Sequence, residues 1–334
     1  MFVVQHYPLA VWLCILTMLC WGSWANTQKL ASRMWPFQLF YWDYTIGILV
    51  ATLAIALTFG SYGVEGRAFL PDLYQANWQS YLWAFLGGVI FNLANILLVT
   101  AIDIAGMSVA FPIAIGLALV IGVIVNYLSL PVGNAFLLTL GVAAVVIAII
   151  LDGMAYQYGK SLKTCKSVVK GLTIAFISGV LMGCFYRFVA MSMSVQFIKP
   201  SAGFFTPYTA CVVFAVGIFI SNFLWNGYMM RRPLTGQPTT YTAYFKGSLK
   251  LHGMGILGGL IWGVGTIASF LASGKAGYAI SYGLGQGATL IAALWGVFIW
   301  HEFRRPRIWI KWLLAFMFVF YLLGLVIIVM ARFY

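Results

Sequence analysis

Asp43 is the one acidic residue that the hydropathy pattern sets well inside an apolar run, about six residues or roughly 9 Å from the end of its helix. A carboxylate at that depth is a proton acceptor or a solute ligand, unless a structural cation neutralises it. Lys29 lies at a similar depth and is the candidate for that cation. Tyr41, Trp42 and Tyr44 flank the acid with the rings and hydroxyls that suit a small polar solute. Asn92 and Asn95 stand at i and i+3 in the next run, which puts both amides on one helical face. Together they offer donors and acceptors to a neutral solute rich in hydroxyl or amide groups; hydrogen bonding between helices is the competing role. Arg187 falls about 16 residues, or roughly 24 Å, into a later run, too far along for a resting pair with Asp43. It either snorkels toward the outer interface or binds a carbonyl or anion in a cavity.

Such groups act together only if helices gather them around one space. The segment from Leu86 to Gly116 recurs, shifted by 171 residues, from Leu257 to Gly287. Nine of 31 positions are identical, including Gly87/Gly258, Gly88/Gly259, Ala105/Ala276, Gly106/Gly277 and Gly116/Gly287. Pro112 of the first copy falls opposite Gly283, the start of a Gly-x-Gly-x-Gly stretch in the second. Interrupted hydrophobic segments at corresponding places in two halves point to a secondary transporter built from repeats. In the second copy Trp262 stands opposite Phe91 and Thr266 opposite Asn95, while Tyr282 and Gln286 flank the glycine break; all four are candidates to line a cavity. Trp21 belongs to an unusually polar stretch, Cys20 to Lys29, at the end of the first run, and is a candidate to stack on the solute.

The composition demands a membrane. The chain is 63% hydrophobic and 7% charged, with a mean hydropathy of +0.97, which no soluble domain of 334 residues could carry on its surface. Ten runs are long enough to cross the hydrocarbon: Leu9 to Leu30, Gln38 to Gly60, Trp78 to Ala101, Met107 to Leu128, Asn134 to Met154, Gly171 to Met193, Phe204 to Tyr228, Leu251 to Ala272, Gly277 to Trp300 and Trp309 to Ala331. Met1 to Leu9 lacks the basic start of a cleavable signal. Of the 19 Lys and Arg residues, 14 lie on the side of the odd-numbered connections, so that side is expected to be cytoplasmic and both termini to face out. The net charge of +13 is thereby a topology signal attracted to anionic lipid, with no nucleic-acid role. The acidic connection from Ser61 to Ala76 reads as an exposed outer loop, and the long connection from Met229 to Lys250 as an uninformative cytoplasmic one.

Other classes fit less well. The five cysteines form no CxxC pair and read as small apolar residues, with no disulfide and no metal site. His6, His252 and His301 are scattered near the interfaces, which argues against a membrane-embedded enzyme. No P-loop is present, so ATP hydrolysis is not built in, and no cofactor is expected. A multidrug exporter would be expected to carry an acid in the first span, which has none.

Four stretches carry a resemblance to a known family: Trp42-Asp43-Tyr44 leading to Thr58-Phe59-Gly60; Gly87-Gly88 to Asn95 with Gly106-Met107-Ser108-Val109; Ala276-Gly277-Tyr278-Ala279; and Trp295-Gly296-Val297 with Glu302-Phe303-Arg304-Arg305. In these the chain resembles the ureide permease family and the related bacterial glucose/ribose porters of the drug/metabolite transporter superfamily. The resemblance implies an all-α membrane protein of ten transmembrane helices in two inverted five-helix repeats, with proton-coupled uptake of a small solute. Asp43 and Asn95 fall on polar positions of the family pattern. The expected division is a first repeat over residues 1–155, a basic linker over 156–170 and a second repeat over 171–334.

The expectation is therefore a secondary active transporter in the plasma (inner) membrane, a monomer or weak homodimer in lipid. It would take up a neutral polar solute, either a sugar such as glucose or ribose or a ureide or nucleobase-type compound, with a proton or Na+ as coupling ion. Asn92, Asn95, Tyr282 and Gln286 would hydrogen-bond the solute, with Thr266 beside them, and Trp21 and Trp262 would stack on it. Protonation of Asp43 would couple transport to the gradient. A metabolite or multidrug exporter of the same superfamily is the alternative.

Overall fold

The computed structural model describes residues 1–32, 34–159, 165–302 and 307–333. Hydrocarbon offers no partner to a backbone N–H or C=O, so a chain that crosses it must pair them internally. Ten helices are long and apolar enough to cross, and each overlaps one of the runs marked from sequence. The first crossing is α1 (Tyr7–Ser23) and α2 (Ala25–Ala31), offset at Trp24. α3 (Phe37–Leu57) starts after Pro36, whose fixed φ and missing N–H suit a helix start. The short α4 (Phe69–Gln75) is followed by α5 (Trp78–Ala105), α6 (Met107–Ser129), α7 (Ala135–Gly159), α8 (Cys165–Ser192) and α9 (Pro207–Arg231). The short α10 (Tyr241–Phe245) precedes α11 (Leu249–Ala276); α12 (Tyr278–Gly285), α13 (Ala288–Leu294) and a π-helical turn (Trp295–Ile299) make the ninth crossing, and α14 (Ile308–Met330) the tenth. Large apolar side chains such as Trp12, Phe136 and Leu322 are exposed, as lipid contact requires.

The helices form two compact units, Met1–Asn92 with Phe185–Lys275, and Leu93–Cys184 with Ala276–Tyr334. Each unit draws on both sequence halves. In the first unit the repeated segment reappears as repeated packing. A Cβ on Gly259 of α11 would lie 2.1 Å from Tyr44 O and 2.8 Å from Gly47 Cα of α3. A Cβ on Gly88 of α5 would lie 2.1 Å from Phe214 O and 3.0 Å from Gly217 Cα of α9. Gly88 and Gly259 are the repeat pair, and Gly47 and Gly217, like Tyr44 and Phe214, are 170 residues apart. So α11 crosses α3 as α5 crosses α9, in both cases with no side chain between the backbones. Phe91 and Trp262, equivalent in the repeat, touch each other with ring centroids 4.4 Å apart.

The corresponding interruptions lie six residues upstream of Pro112. Gly106 (φ 89°, ψ 155°) and Gly277 (φ 83°, ψ 158°) adopt the same backbone, which glycine alone adopts without strain, and each ends a helix of 28 residues. Pro112, expected as the breaker, lies inside an α6 that continues past it. The expected Gly283 to Gly287 break does occur, at Gln286 and Gly287 between α12 and α13. In the second unit α7 and α14 pack through Gly141 and Gly324, each of whose added Cβ would lie within 2.9 Å of the other's carbonyl oxygen.

The connection from Ser61 to Ala76 is a built cap rather than a bare loop. Arg67 donates to Asp72 at 2.9 Å and to Pro200 O at 2.8 Å, and the fully buried Asp72 accepts from Thr206 N at 2.7 Å. Gly203 N donates to Gln75 Oε1 at 2.7 Å, which ties the same two connections a second time. The amino group of Met1 donates to Glu65 O at 2.7 Å. Removing the carboxylate leaves the Thr206 N–H without its acceptor and the Arg67 guanidinium with carbonyl partners but no counter-charge from Asp72, so Asp72→Ala is expected to destabilise the protein by about 3 kcal/mol. A thermal melt in detergent reads this; a melting temperature equal to that of the unaltered protein would show that the cap is not held by Asp72.

Candidate functional site

Asp43 lies two turns into α3, where α11 comes close enough that a Cβ on Gly255 would sit 2.5 Å from Asp43 Cβ. Only 3% of its side chain is exposed. Its partners are His252, at the start of α11, with Nδ1 2.9 Å from Oδ2, and Tyr244 of α10, whose hydroxyl donates to Oδ1 at 2.7 Å. The pairing with Lys29 that the sequence suggested is thus not the one formed. Trp35 closes the group, stacked on Tyr244 at 5.9 Å and edge-on to His252 at 4.8 Å. Burial, and then the neighbouring Asp43 carboxylate, push the Tyr244 phenol above its usual range, so the hydroxyl stays a donor. His252 is 21% exposed and bridges solvent to a carboxylate that solvent barely reaches.

Behind this group the first unit holds an aromatic cluster. Trp21 and Trp262 are stacked at 5.8 Å, and Trp21 Nε1 donates to Thr266 Oγ1 at 3.1 Å. Trp262 also meets Phe91, Tyr44 and Phe214. Three residues singled out from sequence, Trp21, Trp262 and Thr266, are therefore brought together. Asn92 is buried in the same unit and spends its Nδ2 on Ile218 O and Ser221 Oγ of α9, while its Oδ1 has no partner among the described residues. Arg187 of α8 is half-buried in this unit.

Asn95, Tyr282 and Gln286 belong to the second unit, where all three are buried. The Tyr282 hydroxyl lies 3.2 Å from Ala118 O and 3.1 Å from Met182 O, and its ring lies flat where a Cβ on Gly122 would go. That unit also buries an acid the sequence reading set at a helix end. Asp152 is 6% exposed, because α7 continues to Gly159, and its Oδ1 has no partner among the described residues. Phe303, Arg304 and Arg305 of the final motif, Arg33, and residues 160–164 of the basic linker lie outside the described residues. Among the described residues no group of His, Cys, Asp and Glu is arranged to hold a metal ion.

The sequence missed Tyr244 and His252 for a physical reason. Both sit within or beside a connection whose polarity resembles any cytoplasmic loop, and only the packing of α10 and of the start of α11 against α3 brings them to Asp43. The available signal was the aromatic content of Tyr241 to Phe245, which is unusual for a solvated loop.

The family model described as ureide permease matches residues 40–166 and 158–332. The chain belongs to the ureide permease family. Ureide permease 1 of Arabidopsis thaliana is 26% identical over 360 residues, 91% of this chain and 92% of that one. Ureide permease 2 of the same plant is 26% identical over 394 residues, covering 99% and 98%. One solved crystal structure matches 97% of each chain with a TM-score of 0.58 at 16% identity, a likeness of fold alone. Membership in a permease family, with ten apolar helices, makes this an integral multi-pass membrane transporter with a small-molecule solute rather than an enzyme.

Proposed function

We propose that this member of the ureide permease family takes up a neutral ureide-type solute together with a proton, and that the Asp43–His252 pair is the coupling site. The observation that carries the reading is a buried carboxylate that meets the partly exposed imidazole of His252 on one oxygen and accepts from Tyr244 on the other. A proton from water reaches Asp43 by way of His252 and neutralises the charge that binds α3 to α10 and α11. Loss of that charge weakens both contacts and lets the helices shift. On return to the other state the carboxylate releases its proton to the opposite side. In the first unit Trp21 and Trp262 supply a face on which a planar solute stacks, with Thr266 and Asn92 as polar groups; Asn95, Tyr282 and Gln286 are the polar candidates of the second unit. Arg187 is read as a neighbour for a carbonyl. Relatives named ureide permeases support a ureide over a sugar.

The two repeats are read as inverted, because five crossings separate each helix from its equivalent and an odd number reverses the direction. The distribution of Lys and Arg supports termini on the outer side of the plasma membrane.

Proteoliposomes test the reading. An inward proton gradient is expected to drive uptake of labelled hydantoin, a cyclic ureide, and not of glucose or ribose. Uptake of a sugar in preference to hydantoin, or hydantoin uptake indifferent to the gradient, would remove the solute or the coupling part of the reading respectively.

A further inference from the structure

Asn222 of α9 is fully buried, and neither its Oδ1 nor its Nδ2 has a partner among the described residues. A carboxamide in hydrocarbon with both ends unpaired is strongly unfavourable, so something other than the described residues must satisfy it. Its surroundings are polar. One turn on, the buried Asn226 gives its Nδ2 to Gln38 O at 2.9 Å and leaves its Oδ1 without a partner among the described residues. One residue back, Ser221 takes the Nδ2 of Asn92, whose Oδ1 is likewise left over. The Tyr44 hydroxyl of α3, the helix packed against α9, is also buried without a described partner.

The packing frame does not ask for these amides. At the 170-residue spacing that relates α3 to α9, Asn222 corresponds to Thr52 and Asn226 to Ala56. Thr52 satisfies its hydroxyl within its own helix, on Ile48 O at 3.0 Å, and Ala56 has nothing to satisfy. One copy of the repeat thus fills the position with a self-contained residue, and the other with an amide that has nowhere to turn. Departure from a repeated frame at a strained polar residue is where function is to be sought.

We propose that Asn222 binds the amide edge of the solute, Oδ1 accepting an N–H and Nδ2 donating to the adjacent C=O. The proposal rests on the permease reading above and names the group within the solute that is recognised. A carboxamide presents one donor and one acceptor side by side, and a ureido or cyclic imide group presents the complementary pair. The two close a ring of two hydrogen bonds in one plane. A sugar hydroxyl has no such planar edge, so Asn222 selects ureides and imides over sugars.

Binding of hydantoin and of 1,3-dimethylhydantoin to the purified protein tests this, because methylation removes both N–H groups and keeps the ring. Wild-type protein is expected to prefer hydantoin by tenfold or more. Asn222→Leu is expected to lose at least tenfold in hydantoin affinity, to bind both probes alike, and to melt no lower than wild type because an unpaired amide has been removed. A variant that melts normally and keeps the preference overturns the proposal, with water or local packing then satisfying the amide. If Asn222→Leu does not fold, Asn222→Thr, the residue at the equivalent position of α3, is read in the same way. Wild-type protein that binds neither probe overturns the ureide reading of the solute, and this assignment with it.

Discussion

Asp43→Asn is expected to lower proton-driven accumulation of the ureide at least tenfold, while exchange of labelled for unlabelled solute at equal pH persists. Asparagine matches aspartate in size, accepts from Tyr244 through Oδ1 and stays within reach of His252. What it cannot do is change charge. A coupling role therefore predicts that uphill transport is lost and downhill exchange is kept, whereas a purely structural ion pair predicts that both fall together with the melting temperature. Asp43→Ala separates the roles from the other direction. It leaves the Tyr244 hydroxyl and His252 without their acceptor inside the protein and is expected to cost about 2–4 kcal/mol in stability as well as activity. Tyr244 does not confuse the pH dependence. Burial and then the Asp43 carboxylate hold its phenol well above the usual tyrosine range, so its bond to Asp43 is fully present through that range and is lost only as pH climbs beyond it. Tyr244 therefore adds no pH dependence of its own to transport below that range. Uphill uptake by Asp43→Asn that still follows the gradient would end the assignment.

Helix number, approximate helix edges and the repeat were legible in the sequence, because hydrocarbon allows little beyond apolar helices and because glycines at contact points are hard to replace. Gly87-Gly88 against Gly258-Gly259 announced the repeated crossing, and Gly106 against Gly277 the repeated turn. Pro112 misled because a proline marks a break only where the backbone cannot continue, and the chain absorbs it early in α6. Trp21, Trp262 and Thr266 stand out in the sequence by their positions in polar or repeated segments, and in the structure they touch one another. Asp43 stands out by depth alone, but its partners do not. Tyr244 is 201 residues away and His252 209, and no local pattern encodes a contact of that separation. Asn222 escaped for a subtler reason. An asparagine in a long apolar run reads as one more interhelical hydrogen bond, and only the accounting of its partners shows that it makes none among the described residues.

Gly259→Ala and Gly88→Ala should each destabilise the protein by more than about 3 kcal/mol, the cost of forcing apart packed backbones. The physical reason is the identity of the obstructing atom. In both cases it is a carbonyl oxygen of the facing helix, Tyr44 O or Phe214 O, at 2.1 Å from the added carbon. A side chain could swing aside, but a carbonyl within a helix moves only with its helix. Intrinsic propensity works the other way, since alanine in a helix is favoured over glycine by about 1 kcal/mol. Gly253→Ala measures that term separately, because Gly253 lies in α11 with nothing within 4 Å of its added carbon. It is expected to raise the melting temperature or leave it unchanged. The two clashing variants should also fall by similar amounts, because the crossing of α11 on α3 repeats as that of α5 on α9. If Gly259→Ala melts like Gly253→Ala, the helices do not meet backbone to backbone. If Gly88→Ala is tolerated and Gly259→Ala is not, the two crossings are not equivalent, and the repeat is a likeness of sequence without a likeness of packing.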